Sequence, residues 1–385
     1  MSIRPPDEDP FYLPAPAFEA RRPGGVLAER QVLPAAFGRV PVSVDAWQLQ
    51  YRTTDLTGAP EAATTTVLFP RGEYRGLMSF QCAIDAVTPR CAPSYALRLG
   101  ARAAGSLAQL ELGHVVAALR RGWVVSIPDH CGPGGRLGAA REPGYRVLDG
   151  LRAARRFGMD GGTFDLDIGL WGYSGGGLAT AWAAEAAADY APELPIVGAV
   201  AGSPVGDPGN ALRRLSSGRF VGFPVMFIAG LRRAYPRLTH VLDEHMDDVL
   251  RAELDVADER TTVSLLVRLQ RMNLDDHLRD GVDGLLADPR LAAVMDDIRP
   301  GAQAPAMPML IQQGVRDEVI AVADVDALVA RYRAAGARID YRRLPFGTHL
   351  PLEFWTARGA LDWLQEQRDA QAEGLRHIGR EEVRT

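Results

Sequence analysis

Residues 168–182, IGLWGYSGGGLATAW, pass from a continuous apolar run through a tight serine-centred turn into a helical pattern. The turn itself is Gly172-Tyr173-Ser174-Gly175-Gly176. A strand that becomes a helix within so few residues strains its central residue, and small neighbours are needed wherever a Cβ would meet adjacent backbone. The serine hydroxyl is thereby lifted above a sheet edge, and the free N–H groups of the following helix aim at the same point. A chain with 40 glycines produces the five-residue pattern readily by chance. Its flanks are what constrain the fold, because they require a buried strand that feeds a helix through a nucleophile turn.

The rest of the chain repeats the strand-then-helix rhythm. AWQLQYRTTD (46–55) and ATTTVLFP (63–70) alternate around the turn signal Thr57-Gly58-Ala59-Pro60 and read as an antiparallel pair. Short apolar runs follow at 77–84, 123–129, 168–174, 196–202, 307–314 and 338–345, with helical patterns at 106–121, 143–157, 176–190, 322–336 and 352–368. Such alternation predicts an α/β fold with a mostly parallel sheet covered on both faces. The rhythm breaks between Asp207 and Pro300, where the pattern is helical throughout and opens on the apolar FVGFPVMFIAGL (220–231). The expected organisation is therefore a core in two parts, 1–206 and 301–385, with a helical cap inserted at 207–300. The cap would pack on the core and turn an apolar face toward the serine edge.

Composition removes whole mechanisms. All 43 basic residues are arginine, so Schiff-base lysines, phosphate-loop lysines and Ser-Lys dyads are excluded. A net charge of -5 without a basic stripe argues against nucleic acid as a partner. The three cysteines, Cys82, Cys91 and Cys131, fit no metal spacing and cannot make a complete disulfide framework. No cofactor or metal is expected. The N-terminal MSIRPPDEDPFYLPAP has no apolar stretch and no run is long enough to span a membrane, so the expectation is a cytoplasmic protein. Secretion remains open if a leader was trimmed.

A serine hydroxyl is a weak nucleophile that needs a base, and the base needs an orienting acid. In an α/β-hydrolase sheet both come after the serine, acid first and histidine second, each on a loop past a strand end. Asp317 follows the strand MPMLIQQG in VRDEVIA, and His349 follows RIDYRRLP in FGTHLPL. Glu318 is adjacent to Asp317, but extended neighbours point opposite ways, so only one is expected to reach the histidine, and Asp317 is favoured. His240, His245 and His277 fall in the helical stretch, where surface or capping roles are expected. His114 falls in a helix and His377 in the charged tail. His130 follows the strand WVVSIPD and reads as a structural or pocket-wall residue. Ser203 ends a strand without a following helix start and reads as a loop serine. The oxyanion of an ester intermediate needs two donors. One is the N–H of Gly175, and the other lies between Ala83 and Ala86.

The segments DPFY (9–12), LQYRTTD (49–55), DA…CAPSY (85–95), SIPDH (126–130), GYSGGG (172–177), YAPELPIVGA (190–199), DEVI (317–320) and the histidine loop at 347–350 together resemble the secretory lipase family. The resemblance runs from Asp9 to about Trp363. It implies an α/β-hydrolase with an inserted helical lid, the triad Ser174, Asp317 and His349, and Asp85 as the second oxyanion-hole residue beside Gly175. It implies hydrolysis of carboxylic esters of fatty acids, triacylglycerols included, at a possible lipid interface. Acyl transfer to alcohols is the alternative activity, and an inactive binding protein of the same fold is the remaining one. Cys91 matches a family cysteine that is normally bridged into the lid, yet 200–310 contains no cysteine. The polar tail QEQRDAQAEGLRHIGREEVRT shows no counterpart of the family's C-terminal flap, so a more open mouth that favours smaller esters is expected.

Overall fold

The computed structural model describes residues 3–157 and 165–382, and side chains as far as residue 373. His377 lies outside the described side chains. The sheet is built from β1 (Val26–Gln31), β2 (Asp45–Thr54), β3 (Pro60–Phe69), β4 (Gly76–Gln81), β5 (Trp123–Pro128), β6 (Ile168–Tyr173), β7 (Ile196–Gly202), β8 (Met309–Gly314) and β9 (Ile339–Leu344). They form one 9-stranded sheet in the order β1-β2-β3-β5-β4-β6-β7-β8-β9. The first three pairings are antiparallel, including the expected β2–β3 pair in the register Asp45↔Phe69 to Thr54↔Pro60. Every pairing from β5 to β9 is parallel.

Successive strand residues feed opposite faces, which explains why the parallel strands read as unbroken apolar runs. Leu77, Leu170, Ala199 and Ile311 join a core covered by α2 (Glu142–Arg156), α3 (Gly175–Tyr190) and α11 (Val322–Ala334). Their neighbours Met78, Trp171, Val200 and Leu310 join the opposite core, under α1 (Ala108–Arg120) and α12 (His349–Glu382). Parallel strands bring all their C-terminal ends to one edge, and the loops after β4, β6, β7, β8 and β9 gather there.

Between β7 and β8 the chain is helical: α4 (Pro208–Arg214), α5 (Gly222–Ala234), α6 (Leu238–His245), α7 (Asp248–Ala257), α8 (Thr262–Leu269), α9 (Gly281–Ala287) and α10 (Pro289–Asp297). Val225, Met226 and Ile228 of the apolar α5 are buried in a cluster that also contains Ile84, Val87 and Trp182 from the sheet side. The helical stretch thus shares a core with the rest of the molecule. Among the described residues no helix is long and apolar enough to cross a membrane.

Two elements differ from the sequence reading. β1 was not anticipated, because VLAERQ lies on the sheet edge with a half-exposed, mixed pattern. The last helix begins at His349 rather than near 352, because Pro351 sits in its first turn, where a missing N–H costs nothing.

Candidate active site

Ser174 occupies the junction between β6 and α3 with φ 53° and ψ -119°. A non-glycine residue held there costs on the order of 1–3 kcal/mol and persists only where its surroundings impose it. Here they do. The Ser174 N–H donates to the Gly202 carbonyl at 2.8 Å, and its carbonyl accepts the first helical bond from Leu178 at 2.9 Å. A Cβ on Gly176 would strike the Gln81 carbonyl, and one on Gly175 would strike the Asp85 carboxyl. Gly176 is therefore required by the close approach of the β4 main chain, whereas at Gly175 the Asp85 side chain would have to turn aside.

His349 lies between the serine and the acid. Its Nε2 is 2.9 Å from Ser174 Oγ and its Nδ1 is 2.8 Å from Asp317 Oδ2. Asp317 is fixed in turn, since its Oδ1 accepts the backbone N–H groups of Val319 at 2.9 Å and Ile320 at 2.8 Å. Burial works to raise its carboxyl, but the hydrogen bond and charge of His349, with those backbone donors, outweigh it and hold the acid below its usual value. Asp317 therefore stays ionised beside the imidazole.

The expectation that only one of the two adjacent acids reaches the histidine is overturned. Asp317 takes the ring, and Glu318 Oε2 accepts the His349 backbone N–H at 2.9 Å. The reason is that His349 opens a helix, so its N–H is an orphan donor that a second acid can satisfy. Tyr173 adds a contact that sequence reasoning missed: its hydroxyl donates to the His349 carbonyl at 2.6 Å. Ser203 supports that tyrosine, with Oγ donating to the Tyr173 hydroxyl at 3.0 Å, and it is fully buried. The signal for Tyr173 was present in the turn itself, but nothing in sequence showed which way it faced.

The loop after β4 brings Asp85 against Gly175. Its backbone is at φ 40°, a second strained non-glycine position at the same edge. Burial pushes its carboxyl up to about 6, with His349 opposing and Glu353 adding to the rise. His130, which with Asp85 lines the cavity beside Ser174, holds the loop through Nε2, 2.8 Å from the Cys82 carbonyl; burial lowers its pKa to about 4, so the ring is neutral. The other described histidines pair with acids elsewhere: His114 with Glu353, His240 with Glu244, His245 with Asp288 and His277 with Asp247.

An apolar cavity with about 110 Å³ of open volume starts at Ser174 and runs between Leu178 and Trp182 of α3 and Leu212, Phe223 and Phe227 of the helical stretch. Among the described residues no cluster of His, Cys, Asp or Glu is arranged to hold a metal ion. Cys82, Cys91 and Cys131 are free and buried, so the family's bridge from Cys91 is not formed.

A family model described as secretory lipase matches residues 97–374. A protein of Mycobacterium tuberculosis described as a probable inactive lipase is 47% identical over 95% of this chain and 83% of its own length. Lipase A of Arthroderma benhamiae is 36% identical over 95% of this chain and 80% of its own. The crystal structure of Candida antarctica lipase A in its closed state superposes with a TM-score of 0.88 at 27% identity, covering 96% of this chain and 88% of that one. On the sheet order, the serine turn and these likenesses together, the chain belongs to the secretory lipase family, carboxylic ester hydrolases of the α/β-hydrolase fold.

Proposed function

We propose that Ser174, His349 and Asp317 form the catalytic triad of an esterase or lipase that works through an acyl-enzyme. His349 Nε2 takes the Ser174 proton as Oγ attacks the ester carbonyl carbon, and then gives that proton to the departing alcohol. Asp317 holds Nδ1–H and stabilises the imidazolium that forms. A water molecule, activated by the same nitrogen, releases the carboxylic acid. The backbone N–H groups of Gly175 and Asp85 hold the oxyanion, each donor of this kind contributing about 3–4 kcal/mol in such sites. The acyl chain enters the cavity between α3 and α5, with the stretch 207–300 acting as its cap. The substrates are esters of fatty acids, and the family's description favours action outside the cell.

The observation that carries this reading is the unbroken line of hydrogen bonds from Asp317 through His349 to Ser174. It also bears on the inactive alternative raised by the description of the M. tuberculosis relative, since a base in contact with the hydroxyl is what activates a serine. A fluorophosphonate probe and p-nitrophenyl esters test it together. The wild-type protein should label once and hydrolyse, and S174A should do neither. An unlabelled, inactive wild type would make the chain an inactive member of its family, and an active S174A would move the nucleophile elsewhere. Running the hydrolysis with added alcohol separates hydrolase from acyltransferase.

A further inference from the structure

The loop 82–86 is held by three side chains from three separate parts of the chain. His130 Nε2 contacts the Cys82 carbonyl at 2.8 Å, and Glu111 Oε2 of α1 accepts the Ala83 N–H at 2.9 Å. The third is Thr262, the first residue of α8 in the helical stretch. Its Oγ1 lies 3.1 Å from the Ile84 carbonyl and 3.2 Å from the Asp85 carbonyl, one hydroxyl shared between two acceptors. It is the one of the three that acts on the peptide units flanking the strained Asp85.

A trans peptide points its C=O and N–H in opposite directions. The Ile84 carbonyl and the Asp85 N–H belong to the same unit, so a donor that fixes the carbonyl also fixes the direction of the N–H. Thr262 is fully buried and does not line the cavity, whereas Asp85, Gly175 and Ser174 do. The hydroxyl therefore holds the carbonyls on the side away from the cavity and leaves the Asp85 N–H to face the other way.

From this geometry we infer that Thr262 is a positioning residue through which the helical stretch sets the orientation of the Asp85 N–H in the oxyanion hole. The inference rests on the proposed ester hydrolysis and deepens it. Thr262 touches neither substrate nor reacting atoms. Its effect must appear in the transition state, where the oxyanion forms, and hardly at all in ground-state binding.

The test compares T262V, which keeps the branched shape without the hydroxyl, T262A, which loses it without adding a methyl, and T262S, which keeps it. Active sites are first counted with a fluorophosphonate, so that a misfolded fraction does not count as slow catalysis. On p-nitrophenyl butyrate, kcat per titrated site should fall about 10- to 100-fold in T262V and T262A, a part of the 10²–10³ that loss of a whole donor costs. KM should stay within about two-fold, since uniform binding is untouched. Affinity for a trifluoromethyl ketone, which mimics the oxyanion, should fall by the same factor as kcat, and T262S should recover most of it. Should T262V fail to fold, T262A carries the comparison. A kcat within two-fold of wild type in either hydroxyl-free variant overturns the inference, as does a loss confined to KM or shared by T262S. A wild type without esterase activity would instead remove the reading beneath it.

Discussion

Asp129 shows how one residue can set the pH response of a fold without entering its chemistry. It is buried, and its carboxyl accepts the Ser94 N–H at 2.9 Å and pairs with the Ser94 hydroxyl. Burial pushes it up to about 7 against the pull of both Ser94 bonds. An unfolded aspartate ionises near 3.9. Between about pH 4 and 7 the unfolded chain has therefore given up a proton that the folded chain keeps, and stability falls as pH rises through that window. Asparagine reproduces the protonated form: it keeps an acceptor for the Ser94 N–H and donates to the hydroxyl, which can turn to Tyr12 at 2.9 Å. D129N should thus match wild type at about pH 4 and melt several degrees higher at pH 8, as thermal scans across that range would show. A Tm difference that stays constant with pH would mean that Asp129 is ionised in the fold. The same scale shows where sequence reading stops. The proposed triad was legible because each member follows a strand end in the required order. Glu318 and Tyr173 were not, because a backbone N–H and a carbonyl of His349 are donor and acceptor sites that carry no letter of their own.

At the scale of elements, the junction of β6 and α3 sets helix propensity against packing. Alanine is favoured over glycine inside a helix by about 1 kcal/mol, so G176A taken alone should stabilise α3. The Cβ, however, would land on the Gln81 carbonyl, which is main chain of β4 and cannot rotate aside. Either the helix or the strand must shift, and both carry the site: β4 leads into Asp85 and α3 begins beside Ser174. G176A should lose about 2 kcal/mol or more, within the usual range for overpacking, and its urea midpoint should fall accordingly. A midpoint at or above that of wild type would show that the junction has slack. The parallel strands were legible because both faces are covered, which leaves an apolar run with no interruption. Edge strand β1, covered on one side and half exposed, left no such run. The boundary of α12 was misplaced for a different reason, since a proline in a first turn and a proline before a helix look alike in sequence.

At the scale of the whole molecule, the helical stretch and the sheet are joined by a shared apolar cluster and by hydrogen bonds such as that of Arg233 to the Val87 carbonyl. Arg141 does bridge to Asp297 at the end of α10 with bonds of 2.8 and 3.1 Å, but both side chains are about two-fifths exposed. Exposed pairs of this kind are worth about 0–1 kcal/mol. Trp182 is different. It is 3% exposed on α3, packs in the cluster that contains α5 and lines the cavity leading from Ser174. Stability and substrate length therefore meet in one side chain. W182A should cost about 3–5 kcal/mol, as large-to-small changes in a core do, because the surrounding helices can close the void only in part. What remains open extends the cavity, so the preferred acyl chain should lengthen by a few carbons while catalysis at Ser174 persists. Urea unfolding reads the first effect, and a series of p-nitrophenyl esters from acetate to palmitate reads the second. A variant that loses stability without any change in chain-length preference would show that the acyl group binds elsewhere. A change in preference without loss of stability would show that the two halves do not share a core at this point.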